Sequence, residues 1–332
     1  MKRFGRRALL GGIVGAVGAV AAGTAIARSA SAGGKQTLRI GVMANLTHAP
    51  LIAGLGSGRL ARALAPVIVE TRVFRAGPRV TEALIGGAIE VGTAGPAAVV
   101  VHHARHSKNG AGGLRILTGC CSGGASLVVG RTSGIEHPSD LRGKRVAVTQ
   151  IGTTQDIALR VFLRDAGLRD TASGGDVTML AISGATILDQ MRRGELHGAW
   201  LPEPWATRIV TELRAVRLVD ERDLWPERRF STAVLASRAE DASSPLLGAV
   251  TRALEDEVSR AIADPLRTLA EAHAELKKHL GNPGSLALFE KAVELVDFTS
   301  DPIRTSVERF GDAAASFGLC PANPAQGLFS PA

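Results

Sequence analysis

The chain has 332 residues, 45% of them hydrophobic, which is enough for two domains with apolar cores and argues against a disordered protein. The formal net charge of +8 overstates its basicity. Five of the positive charges fall within the first 32 residues, which hold no acid, so the remainder carries only +3. There, basic and acidic residues are mixed and no basic patch is interleaved with aromatic residues, which argues against nucleic-acid binding.

The first 32 residues have the pattern of an export signal. A basic head at 2–7 precedes an apolar stretch at 8–27, and Ala30-Ser31-Ala32 supplies an A-x-A cleavage site. The pair Arg6-Arg7 resembles a twin-arginine signal, although the Sec route also fits, and an uncleaved stretch of this length would serve as a membrane anchor. The sequence therefore predicts an exported protein, periplasmic or extracytoplasmic, that is soluble after cleavage.

From residue 38 onward the pattern alternates between strands and helices. Strands are predicted at 38–42, 67–74 and 89–93, each followed by a loop and a helix, with Pro78 at the first position of the second helix. The same plan recurs with strands at 144–149, 177–182 and 196–201. Paired landmarks such as Gly77 and Gly184, or Pro96 and Pro202, lie 107 and 106 positions apart. The two segments are predicted to be copies of one α/β unit, each a mostly parallel sheet flanked by helices.

The segments outside the two units predict how the units are joined. Residues 114–129 contain two apolar strands separated by 119–124, and 230–237 is a further strand. The rest of the chain, 244–317, is predicted to be helical, with helices at 246–262, 265–280, 285–296 and 302–317. A chain that leaves one α/β block, builds a second and returns forms two lobes. We predict lobe 1 at 36–127 plus 231–332 and lobe 2 at 128–230, in a monomer.

Loops at the carboxyl ends of the strands are the expected binding region, because ligands of open α/β sheets bind there. The sharpest loop is Gly152 to Asp156, where Thr153 can cap a helix and Asp156 can complete a capping box. Free N–H groups and the helix dipole favour an anion at this position, and the hydroxyls of Thr153 and Thr154 add neutral donors.

Catalytic and metal-binding signatures are not found. No paired-carboxylate motif or phosphate loop occurs, and Cys120 stands where a nucleophile elbow around Ser122 would need glycine. His102 and His106 share a helix face but have no acidic or cysteine partner nearby in the sequence. We therefore predict no enzyme, no metal and no cofactor.

The chain resembles periplasmic substrate-binding proteins of ABC importers, in the nitrate, taurine and aliphatic-sulfonate family. The resemblance lies in the segments 38–42 and 45–50, 83–92 and 95–96, 122–129, 140–146 and 152–155, and 203–206. It implies a two-lobed, type II-like periplasmic-binding-protein fold that closes on a small ligand and docks on a permease driven by an ATPase. It also implies a set of loop residues around the ligand: Asn45, His48, Gly77, Gly95, Pro96, Ser122, Gly123, Thr153, Thr154, Gln155, Glu203 and Trp205.

The resemblance leaves the ligand open among small oxyanions and zwitterions of the sulfonate, taurine or nitrate class. The carboxylate of Glu203 would repel a pure anion, so Glu203 should turn outward or pair with the ammonium of a zwitterion such as taurine. The alternatives are a protein that binds a pyrimidine precursor of thiamine, a biosynthetic enzyme on the same fold, or the partner of a sensor domain. An export signal argues against the enzyme.

Overall fold

The structure, a computed structural model, describes residues 36–108 and 111–329, so the predicted export signal lies outside the described residues. The strands fall into two large sheets and one two-stranded ribbon. In chain order they are β1 (Thr37–Met43), β2 (Ile68–Phe74), β3 (Val91–Ala94), β4 (Ser107–Lys108), β5 (Ala111–Gly112), β6 (Leu114–Gly123), β7 (Ala125–Val129), β8 (Arg145–Val148), β9 (Thr178–Ala181), β10 (Gly198–Pro202), β11 (Val216–Asp220), β12 (Ser231–Arg238) and β13 (Val296–Phe298).

Helices cover the sheets and follow most of the parallel strands. Pro78 and Pro96 stand in first turns, where a missing N–H costs nothing. The helices are α1 (Ala49–Gly56), α2 (Arg59–Ala63), α3 (Gly77–Ile85), α4 (Pro96–His106), α5 (Thr154–Asp165), α6 (Gly184–Arg192), α7 (Trp205–Leu213), α8 (Pro245–Ala263), α9 (Pro265–Leu280), α10 (Leu286–Val293) and α11 (Arg304–Ser316).

The two large sheets repeat one arrangement of strands. The first has the order β13-β6-β12-β3-β1-β2, and the second has the order β11-β7-β10-β8-β9. In each, the first strand of a unit lies between the second and third and is parallel to both, and an antiparallel strand follows the third. The predicted α/β repeat is thus present in the strand pairing. It arises because each β-α-β-α-β segment has the same order of apolar strands and helix starts.

The chain passes from the first sheet to the second at Gly123-Gly124. Both residues have positive φ, 72° and 71°, a region that favours glycine. It returns between β11 and β12. Strand β7 lies wholly in the second sheet, so residues 125–127 pair there rather than with the first sheet. The division into the predicted lobes remains a proposal.

Alternating apolar residues of β1 show how the core forms. Leu38, Ile40 and Val42 share one face of the first sheet and pack with α1, α8 and α9. A separate cluster joins the two halves of the molecule, with Ala97 of α4, Ile157 of α5 and Phe310 of α11 in contact. The parts built around the two sheets are therefore packed against each other.

Two sequence predictions were wrong in detail. The predicted helix at 285–296 ends at Val293, and Val296 instead begins β13, which extends the first sheet beside β6. The predicted break at 119–124 is also wrong for its first residues, since β6 continues through Gly119 to Gly123. A three-residue strand has no helical or alternating period of its own, and only its long-range partner makes it a strand.

Candidate functional site

A cavity of about 80 Å³ lies between the carboxyl ends of the strands of the two sheets. The first sheet contributes the loops after β1, β2 and β3, together with Thr232 of β12. The second contributes the loops after β8 and β10. Gly95 and Thr154 approach so closely across it that a Cβ added at Gly95 would lie 3.0 Å from Thr154 Oγ1. The lining residues include Met43, Ala44, Asn45, Thr47, Arg75, Gly77, Gly95, Thr149, Thr153, Thr154, Gln155, Pro202, Trp205 and Thr232.

Four helices begin at this cavity. Gly77 is the first residue of α3, Gly95 is the N-cap of α4, Thr153 is the N-cap of α5, and Trp205 is the first residue of α7. Each helix N-terminus has backbone N–H groups without intrahelical partners and carries the positive end of the helix dipole. Their convergence makes the cavity electropositive without requiring any charged side chain.

Two neighbouring threonines at the start of α5 have different roles. Thr153 Oγ1 accepts from Asp156 N at 3.4 Å and donates to the carbonyl of Gln150 at 2.8 Å. Both the donor and the acceptor function of this hydroxyl are therefore used at the helix cap. Asp156 accepts from Gly152 N at 2.8 Å. In the predicted capping box its partner would be the N–H of the N-cap, Thr153, so the hydrogen bond is shifted by one residue. Thr154 is 2% exposed, and its hydroxyl has no hydrogen-bond partner among the described residues. The Thr154 hydroxyl is therefore available to a ligand.

The electrostatics of the cavity favour an anion. Arg75 is the one cation among the described lining residues, and no ion pair engages it in the part of the chain that the structure describes. None of the described lining residues is acidic. The buried amide oxygen of Asn45 lacks a described hydrogen-bond partner, so the Asn45 amide is a second free polar group. Burial raises the pKa of nearby Asp156, while Gly152 N–H and Arg160 oppose that rise.

Five residues that the sequence assigned to the ligand do not line this cavity. Pro96 lies inside the first turn of α4, Ser122 Oγ accepts from Phe230 N at 3.3 Å, and the Gly123 carbonyl accepts from the Thr232 hydroxyl. His48 is fully buried, which lowers its pKa to about 3 and keeps the ring neutral. Ser122 and Gly123 thus support the wall that presents Thr232, while the other three are buried residues outside the lining: His48, Pro96 and Glu203.

Glu203 differs most from its prediction, because it does not turn outward. It is 0% exposed, its Oε2 accepts from Thr207 N at 3.0 Å, and Arg217 Nη2 lies 3.0 Å from its Oε1. Arg217 also bonds the hydroxyls of Ser126 and Thr207. Burial raises the pKa of the Glu203 carboxyl, and Arg217 and Thr207 oppose the rise. Glu203 therefore caps the start of α7, and Arg217 balances its charge.

Sequence reasoning missed several lining residues. Arg75 directly follows the last residue of β2, so its position at a strand end was visible, but a single arginine in a loop carries no further pattern. Thr149 follows β8 in the same way. Thr232 is remote in sequence from every other lining residue and reaches the cavity only because β12 returns to the first sheet.

Comparison with known proteins identifies the family. The sequence profile of the NMT1-like family matches residues 31–268, more than half of the chain. The chain belongs to the NMT1-like family. A curated protein of Brucella abortus, whose name says only that it is a binding protein, is 27% identical over 177 residues. These are 53% of this chain and 51% of that protein, so the chain spans about half the length of the curated relatives it matches.

Solved structures of similar fold include binding proteins for two kinds of oxyanion. The alkanesulfonate-binding protein SsuA of Xanthomonas axonopodis, bound to MOPS, has a TM-score of 0.70 at 20% identity and covers 91% of this chain and 100% of its own. The nitrate-binding protein NrtA of Synechocystis has a TM-score of 0.73 at 16% identity and covers 88% and 84%. The periplasmic-binding-protein fold and the resemblance predicted from sequence are confirmed.

Proposed function

We propose that this protein is the solute-binding component of an ABC importer and that its ligand is a small oxyanion of the sulfonate or nitrate class. The observation that carries the proposal is the cavity where four helix N-termini meet Arg75 and no described lining residue is acidic. Such a site offers N–H and O–H donors and positive charge, and little to attract a cation. Its partners would be the permease and its ATPase.

The same geometry favours a simple oxyanion over a zwitterion. The ammonium of taurine needs a carboxylate or another strong acceptor, and Glu203 was the sequence-based candidate. Glu203 is buried outside the cavity and engaged by Arg217, so it does not reach a ligand there. An ammonium in this cavity would face helix N-termini, which repel it.

The proposal can be tested with titration calorimetry against ethanesulfonate, nitrate, sulfate and taurine, after a thermal-shift screen of the same compounds and a pyrimidine alcohol. A true ligand stabilises the protein by mass action, so its melting temperature should rise with ligand concentration. We expect ethanesulfonate or nitrate to bind and taurine to bind more weakly than ethanesulfonate. Binding of the pyrimidine alone would contradict the proposal.

Thr154→Val tests the contact at the start of α5. The change removes one neutral donor and nearly preserves side-chain volume, so we expect a loss of about 0.5–1.5 kcal/mol, or about two- to twelvefold in affinity. Thr153→Val is the contrast, because Thr153 is the helix cap and its loss should lower the unfolding free energy by about 1 kcal/mol. Unchanged affinity in the Thr154 variant would move the ligand away from this helix.

Export is a separate proposal, since residues 1–32 lie outside the described part of the chain. Among the described residues, no helix is long and apolar enough to cross a membrane. We propose export by the twin-arginine route, with cleavage after Ala32. Replacing Arg6 and Arg7 with lysine should retain the precursor in the cytoplasm, as measured by fractionation and immunoblotting. Normal export of that variant would indicate the Sec route.

A further inference from the structure

A second cavity, about 810 Å³ in volume, lies between α5, α11 and the turn that follows β11. It shares no lining residue with the cavity described above, although α5 reaches both: Thr154 lines the first, and residues 158–166 contribute to the second. Its volume is within the range of about 300–1,000 Å³ that is usual for small-molecule sites. The protein therefore holds a ligand-sized cavity that solute capture does not use.

Three residues that line this α5–α11 cavity are aromatic, Phe162, Trp225 and Phe310, and each packs against another ring. Trp225 stacks on Phe230 with ring centroids 5.6 Å apart and also contacts Phe310, with centroids 4.8 Å apart. Phe162 packs edge-on against the buried Trp200. Trp225 and Phe162 are only half-buried, and Leu224 is 49% exposed. Apolar surface held open to water in this way is costly, and covering it with a flat apolar ligand would be favourable.

One buried acid adds a polar group to the same cavity. Glu221 is 0% exposed, and its Oε2 accepts from Trp200 Nε1 at 2.6 Å. Its Oε1 has no hydrogen bond of good geometry within the described chain. Burial raises the pKa of Glu221 to about 8, against the opposing effect of the indoles of Trp200 and Trp225. This raised pKa favours the protonated, uncharged carboxyl near neutral pH.

The charges at the mouth of the cavity cancel. Arg164 and Arg309 are matched in number by Asp165 and Asp312. Arg164 pairs with Asp165 at 3.0 Å, and the guanidinium of Arg309 lies over the ring of Trp225, 5.9 Å from its centroid. With a neutral acid inside and balanced charge outside, the cavity offers no net attraction to an ion.

We propose that the α5–α11 cavity is a binding site for a neutral, flat aromatic molecule, distinct from the oxyanion cavity. The aromatic side chains of the lining pack against its rings, and the charge balance at the mouth selects an uncharged ligand over anions.

The test titrates the full chain with the neutral fluorescent probe N-phenyl-1-naphthylamine, and measures stoichiometry by equilibrium dialysis. We expect saturable binding at one site per chain. Ala313→Trp fills the cavity from α11 and should weaken binding by about tenfold or more. Ala315→Trp, on the same helix but outside the lining, is the matched control and should leave probe affinity within about twofold.

A second variant and a competition separate the outcomes. Leu224→Arg places a charge on an exposed lining residue, which should be tolerated by the fold and should also weaken binding. Saturating ethanesulfonate or nitrate should leave the probe bound, whether or not either anion is the true solute. Non-saturable binding, displacement by these anions, or equal affinity in the Ala313, Leu224 and Ala315 variants would overturn the proposal.

Discussion

Replacing Arg75 with alanine is expected to lower the affinity for the oxyanion by about 12- to 150-fold. This range corresponds to the loss of one charge-assisted hydrogen bond, worth about 1.5–3 kcal/mol. The effect should exceed that of Thr154→Val, because Arg75 is the one cation among the described lining residues and has no ion-pair partner there to compensate for its loss. Titration calorimetry with ethanesulfonate and nitrate measures it.

The matched control is Arg72→Ala. Arg72 is on β2, three residues earlier, with a side chain that is 59% exposed and lies 3.4 Å from Glu70. It does not line the cavity, so its loss should change affinity less than about twofold. Arg75→Glu should reduce binding further than alanine, since a carboxylate would compete with the anion for the same donors. Equal affinities for the Arg72 and Arg75 alanine variants would contradict an anion site at this position.

Replacing Arg217 with methionine is expected to give the largest loss of stability. The change leaves the carboxylate of Glu203 buried without its partner, and breaking a buried ion pair from one side costs about 3–5 kcal/mol. We expect the lower end of that range because the Arg217 side chain keeps 20% exposure. Urea unfolding at neutral pH measures the difference. The double variant Glu203→Gln with Arg217→Met should recover part of the loss, because no charge is then buried.

The pH dependence of this variant follows from the same pair. Burial already raises the pKa of Glu203, and losing Arg217 removes its main opposition, so the pKa should rise further. A carboxyl with a raised folded-state pKa is stabilising below its unfolded pKa, and that stability is lost as the pH rises through the folded value. The loss of unfolding free energy in Arg217→Met should therefore be greater at about pH 8 than at about pH 5. A loss of unfolding free energy that does not change with pH would indicate that the lost contacts are not electrostatic.

Local sequence patterns predicted the α/β repeat and the start of α5. The repeat of strands and helix starts was visible as paired landmarks, because each unit has the same sequence of apolar strands, glycines and N-terminal prolines. The helix that begins at Thr154 and its cap at Thr153 follow from residues within four positions of one another. Such features depend on nearby atoms, so the sequence alone predicted them. Seven of the twelve ligand residues that the family resemblance implied also line the cavity.

Tertiary structure decided which strand-end residues face the cavity. Glu203 stands at the end of β10 as the sequence implied, but Arg217, from β11, draws it into a buried pair. Arg75 and Thr232 become neighbours of one cavity only through the pairing of strands far apart in the chain. The orientation of a loop side chain depends on partners that folding brings from distant segments, and a buried charge takes whichever partner lowers its desolvation cost. The partner of a buried charge therefore depends on how two elements pack together, and the sequence of one element alone does not predict it.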